Sequence, residues 1–319
     1  MRLEARKEPA AMHAHVPVMV QAVLDGLCIR KDGIYVDGTV GAGGHAVLIA
    51  ERLRGGRLIA MDRDPESVAR AQARLAPFPG VTLLHRNYGE LAQVLAELDI
   101  GRVDGILIDA GVSSVQLDDP RRGFSFQQEG PLDMRMDTSK GETAAQWLAR
   151  IREDDLAQIL RTYGDVGPAR RIARAILKRV KQGAMNTSSD LAGAVSEALD
   201  FVPGMPEETR TVFQAVRIAV NEEYRWFEAG LRQGVEVLAS GGRLVVISFH
   251  SGEDRIAKKV LQEASRKREI CWPDGRVRER IPPSIRILTP KPVQPGEDEI
   301  RRNPRAHSAR LRIAEKLGH

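Results

Sequence analysis

Three aspartates in the first half of the chain each close a short apolar run. Ile34-Tyr35-Val36 ends at Asp37, Leu58-Ile59-Ala60-Met61 at Asp62, and Val103 to Ile108 at Asp109. Such runs read as buried strands. A carboxylate at a strand's carboxyl end stands where parallel α/β sheets bind their ligands. Gly38, Gly41, Gly43 and Gly44 crowd in after Asp37, and His45 to Leu53 then carries apolar residues at helical spacing. Strand, glycine loop and helix in that order let a ligand approach the backbone without meeting a Cβ. The first N–H groups of the helix are free to donate to it. Asp62 follows the glycines at about the 20-residue distance where an acidic side chain holds a ribose diol. Asp64, just before Pro65, can cap the next helix, which leaves Asp62 available. Tyr88, beyond the run Val81 to Leu84, either covers an adenine or is a half-buried strand-end aromatic.

These positions need a scaffold. Strands near 34–36, 57–61, 81–84 and 103–108 alternate with helices at 45–53, 65–75 and 91–98. That alternation predicts a parallel, doubly wound sheet. Residues 111–136 are irregular and rich in Gly, Pro and Asp, and loops that long in a compact domain are usually functional. From Thr143 to about Leu199 the pattern is helical with no strand between. A helical module is therefore expected inside the α/β domain. Thr211 to Phe227 reads as one helix returning to the parent domain, Leu231 to Leu238 as its continuation, and Gly241-Gly242 as its stop. Arg243 to Phe249 reads as a fifth strand, with Ile285 to Leu288 and Ala309 to Ala314 as a closing pair. The expected organisation is a polar tail over 1–11, an α/β domain from 12–117 and 210–319, and an inserted helical domain over 118–209.

At 42% hydrophobic and 29% charged, the 319-residue chain has the composition of a globular protein. Its net charge of +5 favours an anionic partner such as nucleic acid. Cys28 and Cys271 alone give no disulfide framework, which points to a reducing, cytoplasmic setting. No run is long and apolar enough to span a bilayer, so no membrane partner is expected. The histidines, His13 and His15 included, lack zinc-ligand spacing with cysteine, so no metal is expected. Arg170, Arg174, Lys178 and Lys181 share one helical face opposite Ile172, Ile176 and Val180. That face is either a solvated one or an RNA contact. Arg266-Lys267-Arg268, Arg276, Arg278, Arg280 and Arg301-Arg302 add further basic sites.

The glycine loop admits two ligands. Gly41 to Ala46 matches the dinucleotide pattern G-x-G-x-x-G/A. The frame D-x-T-x-G-x-G from Asp37 to Gly43 resembles the first motif of class I S-adenosylmethionine-dependent methyltransferases. Further stretches bear on the choice: HVPVM, DGTVGAGGHA, DRDP, GVSSVQLDDPRRGFSFQQEGPLDMRMD, TYG, ARRIARAI, TRTVFQAVRIAVNEE, GGRLVVISFHS and NPRAHSARLRIAE. Together they resemble the bacterial ribosomal RNA small-subunit methyltransferase H family, also called MraW, from about His15 to Glu315. The resemblance implies a class I, Rossmann-like doubly wound sheet with an inserted all-helical domain. It implies S-adenosylmethionine as cofactor and methylation of the exocyclic N4 of one cytidine in the decoding region of 16S ribosomal RNA, within the small ribosomal subunit. By matching positions it implies cofactor contacts at Gly43, Gly44, His45, Asp62, Tyr88, Asp109 and Gln116, to which the loop motif adds Asp37 and Gly41. Tyr88 stands where the family often has Phe. Ala110, Gly252 and His307 replace a usual Leu, Leu and Arg.

A cytosine amine is a poor nucleophile, because its lone pair is delocalised into the ring. An acceptor for its protons would localise that pair and take up a proton as the bond forms. Many amino-methyltransferases resemble one another in an Asp/Asn-Pro-Pro-aromatic tetrad after the fourth strand; here that place reads Asp109-Ala110-Gly111-Val112. Asp109 is the first candidate acceptor, followed by Ser113, Ser114 and His250. Asp109 as a cofactor ligand only, and His250 as a structural hydrogen-bond partner, stand beside those roles. A nicotinamide-dependent oxidoreductase and a non-catalytic RNA-binding assembly factor remain alternatives, and monomer and homodimer are both open.

Overall fold

The computed structural model describes residues 17–199, 204–273 and 276–318. The tail expected over 1–11, together with His13 and His15, lies outside them.

Alternation along the strands builds a sheet with two buried faces. In β2 (Arg57–Asp62), Leu58 and Ala60 face one side while Ile59 and Met61 face the other. In β4 (Val103–Asp109), Leu107 opposes Ile106 and Ile108 in the same way. The seven-stranded order is β3 (Val81–His85), β2, β1 (Ile34–Asp37), β4, β5 (Leu238–Ser248), β9 (Arg310–Lys316) and β8 (Ile285–Ile287). The first five are parallel; β9 runs antiparallel between β5 and β8. Helices α1 (Val20–Leu27), α2 (Gly44–Ala50) and α3 (Pro65–Leu75) cover one face. Helices α4 (Leu91–Glu97), α11 (Glu223–Val237) and α12 (Ser251–Ala264) cover the other. The chain reverses its progress across the sheet between β1 and β4, so the crevice beyond their carboxyl ends is the switch point where such folds bind ligands.

Between β4 and α11 lies the helical module. Helices α6 (Ala144–Arg150), α7 (Glu153–Gly164), α8 (Ala169–Lys181), α9 (Ser188–Ala198) and α10 (Glu208–Val220) share one core. The segment 111–136 is less loose than its composition suggests. It holds α5 (Ser114–Asp118) and a 3-10 turn at Pro120–Arg122, and it buries Phe124, Leu132, Met134 and Met136 in the module's core.

The single helix expected over 211–227 is two helices. Glu222 adopts a left-handed conformation (φ 49°) and the chain turns there. Val212, Phe213, Ala215 and Val216 of α10 pack in the module, whereas Phe227 and Leu231 of α11 pack on the sheet. So α10, expected to return to the α/β domain from residue 210, packs instead with the module. The apolar spacing continues through the turn, so periodicity alone does not register the change of core. Buried Asn221 holds the corner. Its amide donates to Met134 O (2.6 Å) and accepts from Met136 N (2.7 Å), and its carbonyl accepts from Arg63 (2.9 Å). The sequence reading did not anticipate α12, α13 (Glu297–Arg302), or a separate hairpin of β6 (Arg268–Cys271) and β7 (Val277–Ile281).

A buried ion pair fastens the segment after β4 to the sheet. Asp64 caps α3 by accepting from Glu66 N (2.9 Å), and it also accepts from Gln116 Nε2 (2.6 Å) and Arg122 Nη1 (2.9 Å). Arg122 donates in turn to the carbonyls of Arg135 and Met136. Asp64, Gln116 and Arg122 are all buried. Removing one partner of such a pair strands the other charge out of water, which costs far more than losing an exposed pair. Arg122→Ala is expected to lower unfolding free energy by about 3–5 kcal/mol in urea titration, whereas Arg121→Ala, on the exposed Arg121–Asp119 pair, leaves it nearly unchanged.

Candidate active site

The crevice at the switch point is a cavity of about 720 Å³. The α/β domain contributes Gly41, Gly44, His45, Asp62, Tyr88 and Asp109 to its wall. Ser113, Ser114, Gln116 and His250 also line it. Asp37 and Gly43, two other sequence candidates, stand behind the wall. Gly43 takes φ 84° as the N-cap of α2, and a Cβ there would lie 3.6 Å from Ala71 of α3. The left-handed backbone, rather than lack of space, calls for glycine there.

Asp62 is engaged but not saturated. Its two oxygens accept from Gly41 N (2.8 Å) and Asp64 N (2.9 Å), and each carboxylate oxygen keeps a further lone pair. The glycine loop and the strand-end carboxylate are thus joined before any ligand arrives. Thr39 fixes the next strand tip, its hydroxyl accepting from Asp109 N (2.7 Å). Asp37 Oδ2 and Asp109 Oδ1 are buried without a hydrogen-bond partner. His45 Nε2 stands 3.7 Å from the other Asp109 oxygen.

Burial pushes these carboxyls up: Asp62 to about 6, Asp37 to about 7 and Asp109 to about 8. Mutual repulsion adds to burial, from Asp62 on Asp37 and from Asp37 and Glu253 on Asp109. Glu253 goes the other way. Burial works against its charge, but His250, the Phe249 N–H and Arg217 outweigh it and hold the carboxyl below its usual range. The wall therefore favours the charged form at Glu253 and the protonated form at the aspartates.

Other candidates are occupied by local structure. Ser113 is the N-cap of α5: its hydroxyl accepts from Gln116 N (3.2 Å), and Gln116 Oε1 accepts from Ser113 N (2.8 Å). Gln116 also holds Asp64, so its amide positions the wall. His250 caps α12, with Nδ1 facing Glu253 N at 3.4 Å and Nε2 at 3.0 Å from Glu253 Oε1. The basic face of α8 does not line the crevice. Arg170 pairs with Asp154, Arg174 with Glu153 and Lys178 with Glu197, leaving Lys181 beyond that set of pairs. Exposed pairs of this kind bind weakly but reduce the local field.

Several wall residues escaped the sequence reading. Phe124, Phe126, Met136, Arg210, Phe213 and Arg217 come from the module side, with Phe126 edge-on to Phe213 at 5.4 Å. Arg217 is held bidentately by Glu223 at 2.8 and 3.0 Å. The NPRAHS stretch adds Arg305 and His307 at the rim. Aromatics beside arginines in one block would have been the available signal.

The chain matches the model of the MraW methylase family over residues 12–317. It belongs to that family. Among curated relatives, the ribosomal RNA small subunit methyltransferase H of Methylococcus capsulatus is 48% identical over 301 residues, covering 93% of this chain and 99% of that one. Among solved structures, an rRNA methylase from Streptococcus thermophilus aligns at TM-score 0.44 and 11% identity over 96% of this chain and 100% of that one. A putative methyltransferase from Streptococcus mutans in complex with SAH aligns at 0.43 and 11% over 95% and 100%. The fold of this MraW-family chain is the Rossmann-like methyltransferase sheet, and its methyl donor is S-adenosylmethionine. The crevice suits that cofactor chemically. Asp62 retains lone pairs for a ribose, and the partnerless oxygens of Asp37 and Asp109 favour a ligand bearing ammonium and sulfonium charge.

This electrostatic design has a pH signature. A carboxyl whose pKa is raised on folding binds its proton more tightly in the native state. Stability therefore falls as pH rises from the unfolded value near 4 through the folded one. Between pH 6 and 8.5 the ligand-free wild type should lose melting temperature faster than Asp109→Asn. S-adenosylmethionine should bind more tightly across the same range, as its charge displaces the protons. Parallel slopes for the two proteins in scanning calorimetry would contradict the assignment.

Proposed function

We propose that this MraW-family methyltransferase transfers a methyl group to the N4 amine of a cytidine in the decoding region of 16S ribosomal RNA, in the cytoplasm. Support for ribosomal RNA comes from the strong likeness to a relative of that name. Support for an amine acceptor comes from one observation: Asp109 ends β4 with an oxygen that is buried, partnerless and pushed toward a pKa of about 8. A carboxylate so placed can take the proton that an attacking cytosine amine must lose.

The bound cofactor supplies a methyl already activated by a sulfonium, so the protein's task is mainly alignment. In this reading Asp62 holds the ribose and Gly41 lets the backbone approach the ligand. Tyr88 bounds the adenine side. Asp109 accepts from the amine, draws its lone pair out of the ring and receives the proton. Its neighbours tune that basicity, since Asp37 and charged Glu253 both raise the affinity of Asp109 for a proton. Acid–base help of this sort is worth roughly a hundredfold or more in rate. Ser113 and His250 keep the cap roles described above and act through position. The target base must leave its stack to reach the methyl, and Phe126 and Phe213 on the module wall offer it apolar contact.

The test is incubation of purified small subunits lacking the mark with labelled cofactor, followed by mass spectrometry of nuclease fragments. Methyl on a cytidine N4 in the decoding region is expected. Asp109→Asn should cut the rate by about two orders of magnitude or more while cofactor still binds. A full rate in that variant would remove Asp109 from the chemistry, and methyl on any other atom would overturn the assignment.

A further inference from the structure

The β6–β7 hairpin belongs to neither core. It forms its own two-stranded sheet, and its neck is closed where Ser284 N donates to Ala264 O at 2.9 Å. Ile270, Trp272 and Val277 are exposed on it, Trp272 by 50%. A soluble surface rarely leaves an indole that open without use. The Arg278 guanidinium lies over one face of the Trp272 ring at 4.9 Å. Six basic residues stand between Arg266 and Arg280 against three acidic ones, in a chain whose net charge is only +5. Arg280 is paired with Glu269 (3.0 Å), and Arg266, Lys267 and Arg268 crowd the root.

We propose that this ribbon is a second RNA contact, gripping phosphates with its root and setting a base on the open face of Trp272. The inference rests on the reading that ribosomal RNA is the substrate. Arginines break up the exposed apolar residues, so the surface suits a polyanion with flat bases better than an apolar protein face. Base–aromatic stacking is tolerant of sequence and combines naturally with a positive track. Position adds a constraint. Helix α12 starts beside the crevice at His250 and runs 14 residues before the ribbon begins, about 20 Å at the helical rise. The ribbon therefore touches RNA remote from the target cytidine, and a short substrate cannot span both places.

Direct binding and methylation can be compared on full-length ribosomal RNA and on a short stem–loop carrying only the target. Trp272→Ala with Arg278→Ala should weaken binding to full-length RNA by about tenfold or more. Neutralising Arg266, Lys267 and Arg268 together should flatten the dependence of log affinity on log salt by about 2. Cofactor affinity, melting temperature and turnover on the stem–loop should not move, and Trp272→Phe should retain binding. Unchanged affinity for full-length RNA, or equal losses on both substrates, would overturn the ribbon's role. A defect seen only on assembled subunits would mean a ribosomal protein is the partner and would overturn it too. Wild-type protein that methylates neither these RNAs nor purified small subunits would instead remove the substrate reading on which the ribbon depends.

Discussion

A carboxylate and a guanidinium, both taken out of water, hold this molecule's two halves in register. Asp64 sits two residues after Asp62, which lines the crevice, and it caps the helix that follows. Arg122 reaches it from the segment beyond β4 and carries the carbonyls of Arg135 and Met136 with it. Gln116 joins the same carboxylate and also locks the turn at Ser113. A buried pair of this sort is poor evidence of extra stability, because desolvation offsets most of the attraction. Its value here is geometric. The tip of β2, the turn after β4 and the entry to the helical module cannot shift independently while Asp64 keeps its three partners.

The crevice is built at some expense of stability. Asp37 and Asp109 each leave an oxygen buried without a partner, and both carboxyls are raised by burial, with repulsion from Asp62 added at Asp37 and from Asp37 and Glu253 at Asp109. A folded protein rarely keeps such groups unless a ligand completes them. In the proposed reaction a donor carrying two positive centres would do so, and a product that has lost the sulfonium charge would suit the same wall less well.

Much of the sheet was legible because its rules are local. Ile34 to Val36, Arg57 to Met61 and Val103 to Ile108 are short apolar runs ending in aspartate, and the observed strands follow them within a residue or so. The turn at Asn221-Glu222 was not legible, since apolar residues recur at helical spacing on both sides while the core they face changes. The fate of polar side chains was hidden for a different reason. Ser113 and His250 look reactive in the sequence, yet each is consumed by a helix cap a few residues away. The α8 arginines look free until Asp154, Glu153 and Glu197 arrive from neighbouring helices. Glu253 and Arg217 became visible only when tertiary folding brought them to the crevice.

The two sides of the crevice differ in chemistry. The sheet side presents Asp62, Asp109 and Glu253. The module side presents Phe124, Phe126 and Phe213 with Arg210 and Arg217, and Arg305 stands at the rim. An acidic wall attracts a sulfonium and repels phosphate; an aromatic and basic wall does the reverse. In the proposed reaction the cofactor and the RNA therefore sort themselves to opposite sides by charge, and the methyl and the amine meet where the walls face each other. The hinge at Asn221 and the pair at Asp64 set the distance between the walls, so alignment for transfer depends on residues that touch neither reactant.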